Sequence, residues 1–170
     1  MKENNRAGRA LARRCSRCRP RQTPRLLLLA QSAKVRSVPL SVFLAEDYAP
    51  DVLLIHRALR EHGLEFEMFV AEDGDKVIAL LDRVGREIPG PDVLLLDLNL
   101  PGMNGPDLFR RVRSHPLCSN APLIVMTSSD APRDLAWVRE FDVSYYFEKP
   151  PRLNEFMHLG ALVATLVPKR

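Results

Sequence analysis

Pro91-Asp92-Val93-Leu94-Leu95-Leu96-Asp97-Leu98-Asn99-Leu100-Pro101-Gly102-Met103-Asn104-Gly105 is the stretch from which the rest of the chain can be read. The run from Val93 to Leu96 is wholly apolar, too short for a helix of its own, and closed by a segment rich in Pro-Gly and Asn-Gly. Such a run predicts a buried parallel strand that stops in a loop. Asp97 then stands where the strand ends. A carboxylate is costly inside the run, but at the carboxyl end of a parallel strand it points into the crevice where open α/β sheets bind ligands. An Asp that merely caps a turn fits the same stretch, so both readings stand at this point.

Outward from that strand the texture repeats. Upstream, residues 40–45 read as a strand that runs directly into Glu46-Asp47. Pro50 starts a helix, where its missing N–H costs nothing, with Val52, Leu53, Ile55, Ala58 and Leu59 as the apolar face and Gly63 as its end. Residues 65–71 form a second strand and 75–84 a second helix carrying Val77, Ile78, Leu80 and Leu81. Downstream, 107–113 is a short third helix closed by His115-Pro116, and 123–126 a fourth strand ending at Thr127-Ser128-Ser129. Ser129 or Asp130 caps a fourth helix over 131–141, and 145–147 is a fifth strand leading to Glu148-Lys149-Pro150. A closing helix over 153–166 has Leu153, Phe156, Met157, Leu159, Leu162, Val163 and Leu166 at three-four spacing. That face would serve as core or as a homodimer contact. Five strands alternating with five helices predict an α/β fold with a doubly wound parallel sheet. Little more than one helix follows Pro150, which leaves no room for an output domain there.

Charge divides the chain. The first 39 residues hold eleven Lys and Arg against Glu3, a net of +10, so with a total of +4 the remainder carries −6. Residues 1–39 read as a disordered basic extension, 40–167 as the folded domain and 168–170 as a tail. The basic balance therefore belongs to the arm, and nucleic-acid binding is not expected of the domain. Cys15, Cys18 and Cys118 make no disulfide framework, and a reduced cytosolic setting is expected. The lone Cys15-Ser16-Arg17-Cys18 supplies half the ligands of a structural zinc site. Leu26-Leu27-Leu28-Leu29-Ala30 is too short for a signal-peptide core, and no apolar run spans a membrane.

In a parallel sheet all carboxyl ends lie on one edge, so Glu46, Asp47, Asp97, Thr127 and Lys149 are expected to meet. Three carboxylates repel more strongly than one Lys can offset. A hard divalent cation stabilises such a cluster, and Mg²⁺ suits a few carboxylates that leave room for water and phosphate oxygens. No Gly-x-x-x-x-Gly-Lys loop is present to hold a nucleotide. The cation is left to serve a phosphoryl group carried by the protein itself, with Asp97 as nucleophile and Thr127 and Lys149 at the phosphoryl oxygens.

With these residues the chain resembles the response-regulator receiver domains of two-component signalling. The resemblance covers residues 40–167 and is carried by Leu44-Ala45-Glu46-Asp47, by Leu96-Asp97 with the loop to Gly105, by Thr127-Ser128, and by Tyr146 with Lys149-Pro150. It implies a flavodoxin-like sheet of order 2-1-3-4-5 and phosphorylation of Asp97 by a histidine kinase or phosphotransfer protein. It further implies Mg²⁺ bound by Asp47, Asp97 and the Asn99 backbone carbonyl, with Glu46 helping through water. Thr127 and Tyr146 would form a switch pair. Residues 47–59 and 91–105 look most like the single-domain regulators paired with bacterial phytochrome kinases. Asp142 and Glu148 depart from the family pattern, the first where Gly is common and the second as an extra acid beside Lys149. Two other functions compete: a Mg²⁺-dependent phosphatase, which would be expected to carry a second Asp where Asn99 stands, and a nucleic-acid binder using the arm.

Overall fold

The computed structural model describes residues 38–128, 141 and 143–167. The expected basic arm up to residue 37, the Cys15/Cys18 pair, the fourth helix except Phe141, Asp142 and the tail lie outside these residues. Within them the order is β1 (Leu40–Ala45), α1 (Ala49–Glu61), β2 (Phe66–Ala71), α2 (Gly74–Arg83), β3 (Val93–Asp97), α3 (Gly105–Ser114), β4 (Leu123–Thr127) and β5 (Tyr145–Glu148). The chain closes with α4 (Leu153–Phe156) and α5 (His158–Leu166). All strand pairs are parallel, in the order β2-β1-β3-β4-β5, which is the sheet expected.

Alternation along the central strands builds two cores, one on each face of the sheet. Phe43 and Ala45, Leu94 and Leu96, and Leu123 and Val125 face α2 and α3, meeting Val77, Leu81, Leu108, Phe109 and Val112. Val42 and Leu44, Val93 and Leu95, and Ile124 and Met126 face the other way, onto α1 through Ile55, Ala58 and Leu59 and onto α5 through Leu159 and Val163. Each fully buried Leu or Ile contributes about 1.5–3 kcal/mol. β1, β3 and β4 are buried throughout because both faces are covered.

The helix ends follow local chemistry. Asn104 caps α3 by accepting from the Asp107 amide at 3.0 Å. Asp73 caps α2 through the Lys76 amide at 2.7 Å, so this helix starts at Gly74 rather than Asp75 and ends at Arg83. The closing helix, expected as one piece, is two segments joined at Met157. There the Gly160 amide donates to the Met157 carbonyl three residues back at 3.1 Å, tightening the turn. The same glycine lets α5 approach α1: a Cβ on Gly160 would stand 2.1 Å from the Ala58 carbonyl oxygen. The described residues thus hold four of the five expected helices, the last in two segments. Of its apolar face, Phe156, Leu159 and Val163 are buried in the core, whereas Leu153 is exposed. Among the described residues no helix is long and apolar enough to cross a membrane.

Candidate functional site

Because the strands are parallel, their carboxyl ends share one rim. β1 hands over to Glu46, β3 ends on Asp97, β4 on Thr127, and β5 hands over to Lys149. The register keeps them level: Ala45 pairs with Leu96, Asp97 with Met126 and Thr127 with Glu148. Backbone bonds hold the rim together, the Lys149 amide donating to the Thr127 carbonyl at 2.7 Å and the Leu98 amide to the Met126 carbonyl at 3.1 Å.

The Lys149 ammonium occupies the centre. It donates to Glu46 Oε2 at 2.7 Å, pairs with Asp51 Oδ2 at 2.8 Å and donates to Asp97 Oδ2. An ammonium has three N–H donors, and here each has a carboxylate. The side chains are withdrawn from water, with Lys149 7%, Glu46 0%, Asp97 7% and Asp51 16% exposed. The second oxygen of Glu46 accepts from the Tyr48 amide at 3.1 Å.

Asp97 uses its two oxygens differently. Oδ1 accepts from the Asn99 amide at 2.8 Å, and Oδ2 faces Lys149. One oxygen thus turns the chain after β3 while the other faces the ammonium on the rim. The loop that follows is anchored by the buried side chains of Leu98 and Leu100. Gly102 turns the chain at φ 80°, a conformation that favours glycine, and Pro101 accepts from the Gly74 amide at 2.9 Å.

Electrostatics follow from this burial. Desolvation pushes the Glu46 carboxyl up from 4.5 to about 6, against the opposing pull of Lys149. For Lys149 burial favours the neutral amine, but hydrogen bonds to Asp51, Asp97 and Glu46 outweigh it and raise its pKa above the ordinary lysine value. Lys149 is therefore held as a cation.

The other expected residues take different positions. Asp47 lies next to Glu46 but is exposed and in no ion pair among the described residues. Asn99 is exposed on the loop, Thr127 is fully buried at the end of β4, and Tyr146 is half-buried against the core that faces α2 and α3. Glu148 is exposed beside Lys149. Asp51 was missed. An acid in the first turn of a helix reads as a partner of the helix dipole, and only the docking of α1 on the sheet brings it to the rim.

The donor set suits a hard divalent cation. Four carboxylates, Glu46, Asp47, Asp51 and Asp97, share this end of the fold with one ammonium, and all offer oxygen. Among the described residues no three His, Cys, Asp or Glu side chains close up as a ready-made metal cage.

Comparison with known proteins supplies the relatives. Rcp1, a response regulator of Synechocystis, is 28% identical over 123 residues, covering 71% of this chain and 84% of that protein. Its Mn²⁺-bound structure superimposes with a TM-score of 0.68 at 26% identity, covering 78% of this chain and 97% of that one. The phosphorylated cyanobacterial phytochrome response regulator RcpA gives a TM-score of 0.66 at 27% identity, covering 74% and 91%. TrcR, a transcriptional regulatory protein of Mycobacterium tuberculosis, is 32% identical over 139 residues, 80% of this chain but about half (51%) of that protein. The family profile described as the response regulator receiver domain matches residues 42–159. With that match running through both cores and the whole carboxyl rim, the chain belongs to the response regulator receiver domain family.

Proposed function

We propose that this chain accepts a phosphoryl group on Asp97 from the phosphohistidine of a histidine kinase or phosphotransfer protein. The observation that carries the reading is the Lys149 ammonium held between Glu46, Asp51 and Asp97 at the carboxyl rim of the sheet. Receiver domains pair with such kinases. The name of RcpA, a cyanobacterial phytochrome response regulator, favours a phytochrome-type partner for this chain as well.

In the transfer an Asp97 oxygen forms the P–O bond while the P–N bond of the donor breaks, and the departing imidazole takes up a proton from solvent. Lys149 exchanges its hydrogen bond to Asp97 for one to a phosphoryl oxygen, and Thr127 contributes a hydroxyl. Glu46, Asp47, Asp97 and the Asn99 carbonyl would hold a divalent cation, Mg²⁺ in the first instance. When bound, it offsets charge on the phosphoryl oxygens. The acquired dianion draws Thr127 inward with Tyr146 following, and this alters the surface around β5 and the closing helix that a partner reads. The protein is thus a cytosolic signalling module whose chemistry is confined to its own Asp97.

Incubation with phosphoramidate and Mg²⁺ should add one phosphoryl group to the intact protein and none to Asp97→Asn. Equal labelling of both proteins would exclude Asp97 as acceptor. A phosphatase would instead turn over many equivalents of a phosphomonoester.

A further inference from the structure

Lys149 is fixed from two sides that have nothing to do with Asp97. Glu46 reaches it from the end of β1 and Asp51 from the first turn of α1. An acid in that turn gains from the helix dipole while remaining in water. Asp51 does otherwise: it is withdrawn to 16% exposure with Oδ2 at 2.8 Å from the ammonium.

We propose that Asp51 is a positioning residue for phosphoryl transfer to Asp97, acting as the second anchor that fixes the Lys149 ammonium. The proposal rests on Asp97 being the acceptor. A lysine side chain has four rotatable bonds and substantial rotamer entropy. With one anchor the ammonium pivots about Glu46; with two it keeps its place when the third N–H leaves Asp97 for the phosphoryl group. Removal of Asp51 has opposite consequences under the two roles open to it. As bare negative charge it repels an incoming dianion, so its loss would speed phosphorylation. As an anchor its loss slows the reaction, because the ammonium must be ordered during each transfer.

The test compares wild type, Asp51→Ala and Asp51→Asn, the last keeping an acceptor oxygen without the charge. Phosphoramidate with Mg²⁺ should label Asp51→Ala about tenfold more slowly at saturating donor, the loss expected for one charge-assisted hydrogen bond. Asp51→Asn should recover most of the rate. In a Lys149→Met background, Asp51→Ala should produce no further slowing. An independent readout is the ¹⁵Nζ ammonium signal of Lys149 in lysine-labelled protein, assigned with Lys149→Arg. It should be sharp in wild type and Asp51→Asn and broadened by exchange in Asp51→Ala. Labelling of Asp51→Ala as fast as wild type, or faster, overturns the proposal, as does an unchanged ammonium signal. If wild type takes no label on Asp97 while the ammonium signal still depends on Asp51, the acceptor reading falls and the anchor stands.

Discussion

The backbone amide of Lys149 donates to the carbonyl of Thr127 at 2.7 Å, so the lysine leaves β5 at a height set by the end of β4. Its ammonium then reaches Glu46 and Asp97 because the strands are in register, while Asp51 is brought to it by the docking of α1.

Replacement of Lys149 by Met should expose what that ammonium offsets. Glu46, Asp51 and Asp97 would face one another without a counter-charge. The expected loss at neutral pH in metal-free protein is about 3–5 kcal/mol, the range for a buried charge cluster deprived of one partner. Burial already holds the Glu46 carboxyl above its ordinary value, and without the opposing pull of Lys149 it rises further. The penalty is therefore present at neutral pH and relieved as pH falls through the carboxylate range. Urea denaturation at pH 7 and near pH 4 measures this, and added Mg²⁺ should recover part of the loss. An equal loss at both pH values would show that packing, not charge, is at stake.

Glu46 should leave its own trace in the pH dependence of metal-free stability. Its folded pKa of about 6 lies above the ordinary 4.5, so the folded state binds the proton more tightly. The sign follows: stability associated with this group is present below 4.5 and lost as pH rises to about 6, by about 2 kcal/mol. Between those values wild type should lose stability relative to Glu46→Gln. Parallel curves for the two proteins would place the Glu46 titration elsewhere.

Gly160→Ala sets helix propensity against space. Alanine gains about 1 kcal/mol over glycine within a helix. Here its Cβ would meet the Ala58 carbonyl oxygen at 2.1 Å and His62 Nδ1 at 2.4 Å, and the first of these is backbone. α5 must lift from α1, and the clash should win with a net loss of about 3 kcal/mol. Chemical denaturation reads this directly; a more stable variant would mean that the two helices can separate freely.

Cys118 is fully buried, and desolvation pushes its thiol up to about 11. In a protein with Cys15 and Cys18 changed to Ser, Ellman's reagent at pH 8 should react only as fast as the fold opens. Urea that unfolds the protein should release one thiol. Rapid reaction without denaturant would mean that the loop after α3 opens locally.

Much of this architecture was legible in the order of residues. Runs such as 93–96 and 123–126 have no polar face, which admits only strands covered on both sides, and parallel strands must end on one rim. The meeting of Glu46, Asp97, Thr127 and Lys149 follows from that connectivity alone. The break at Met157 did not, because apolar three-four spacing continues unbroken through it while the hydrogen-bond pattern changes underneath. Asp51 did not either: its sequence neighbourhood is that of an ordinary helix start, and its partner lies 98 positions away. Asp47 and Glu46 are indistinguishable as letters, yet one is exposed and the other is sealed at the base of the site. Local pattern determines which strands exist and where each one stops, since that depends on burial along a few residues. Which carboxylates share the ammonium depends on how α1 docks across the sheet edge, and only the packed fold decides that.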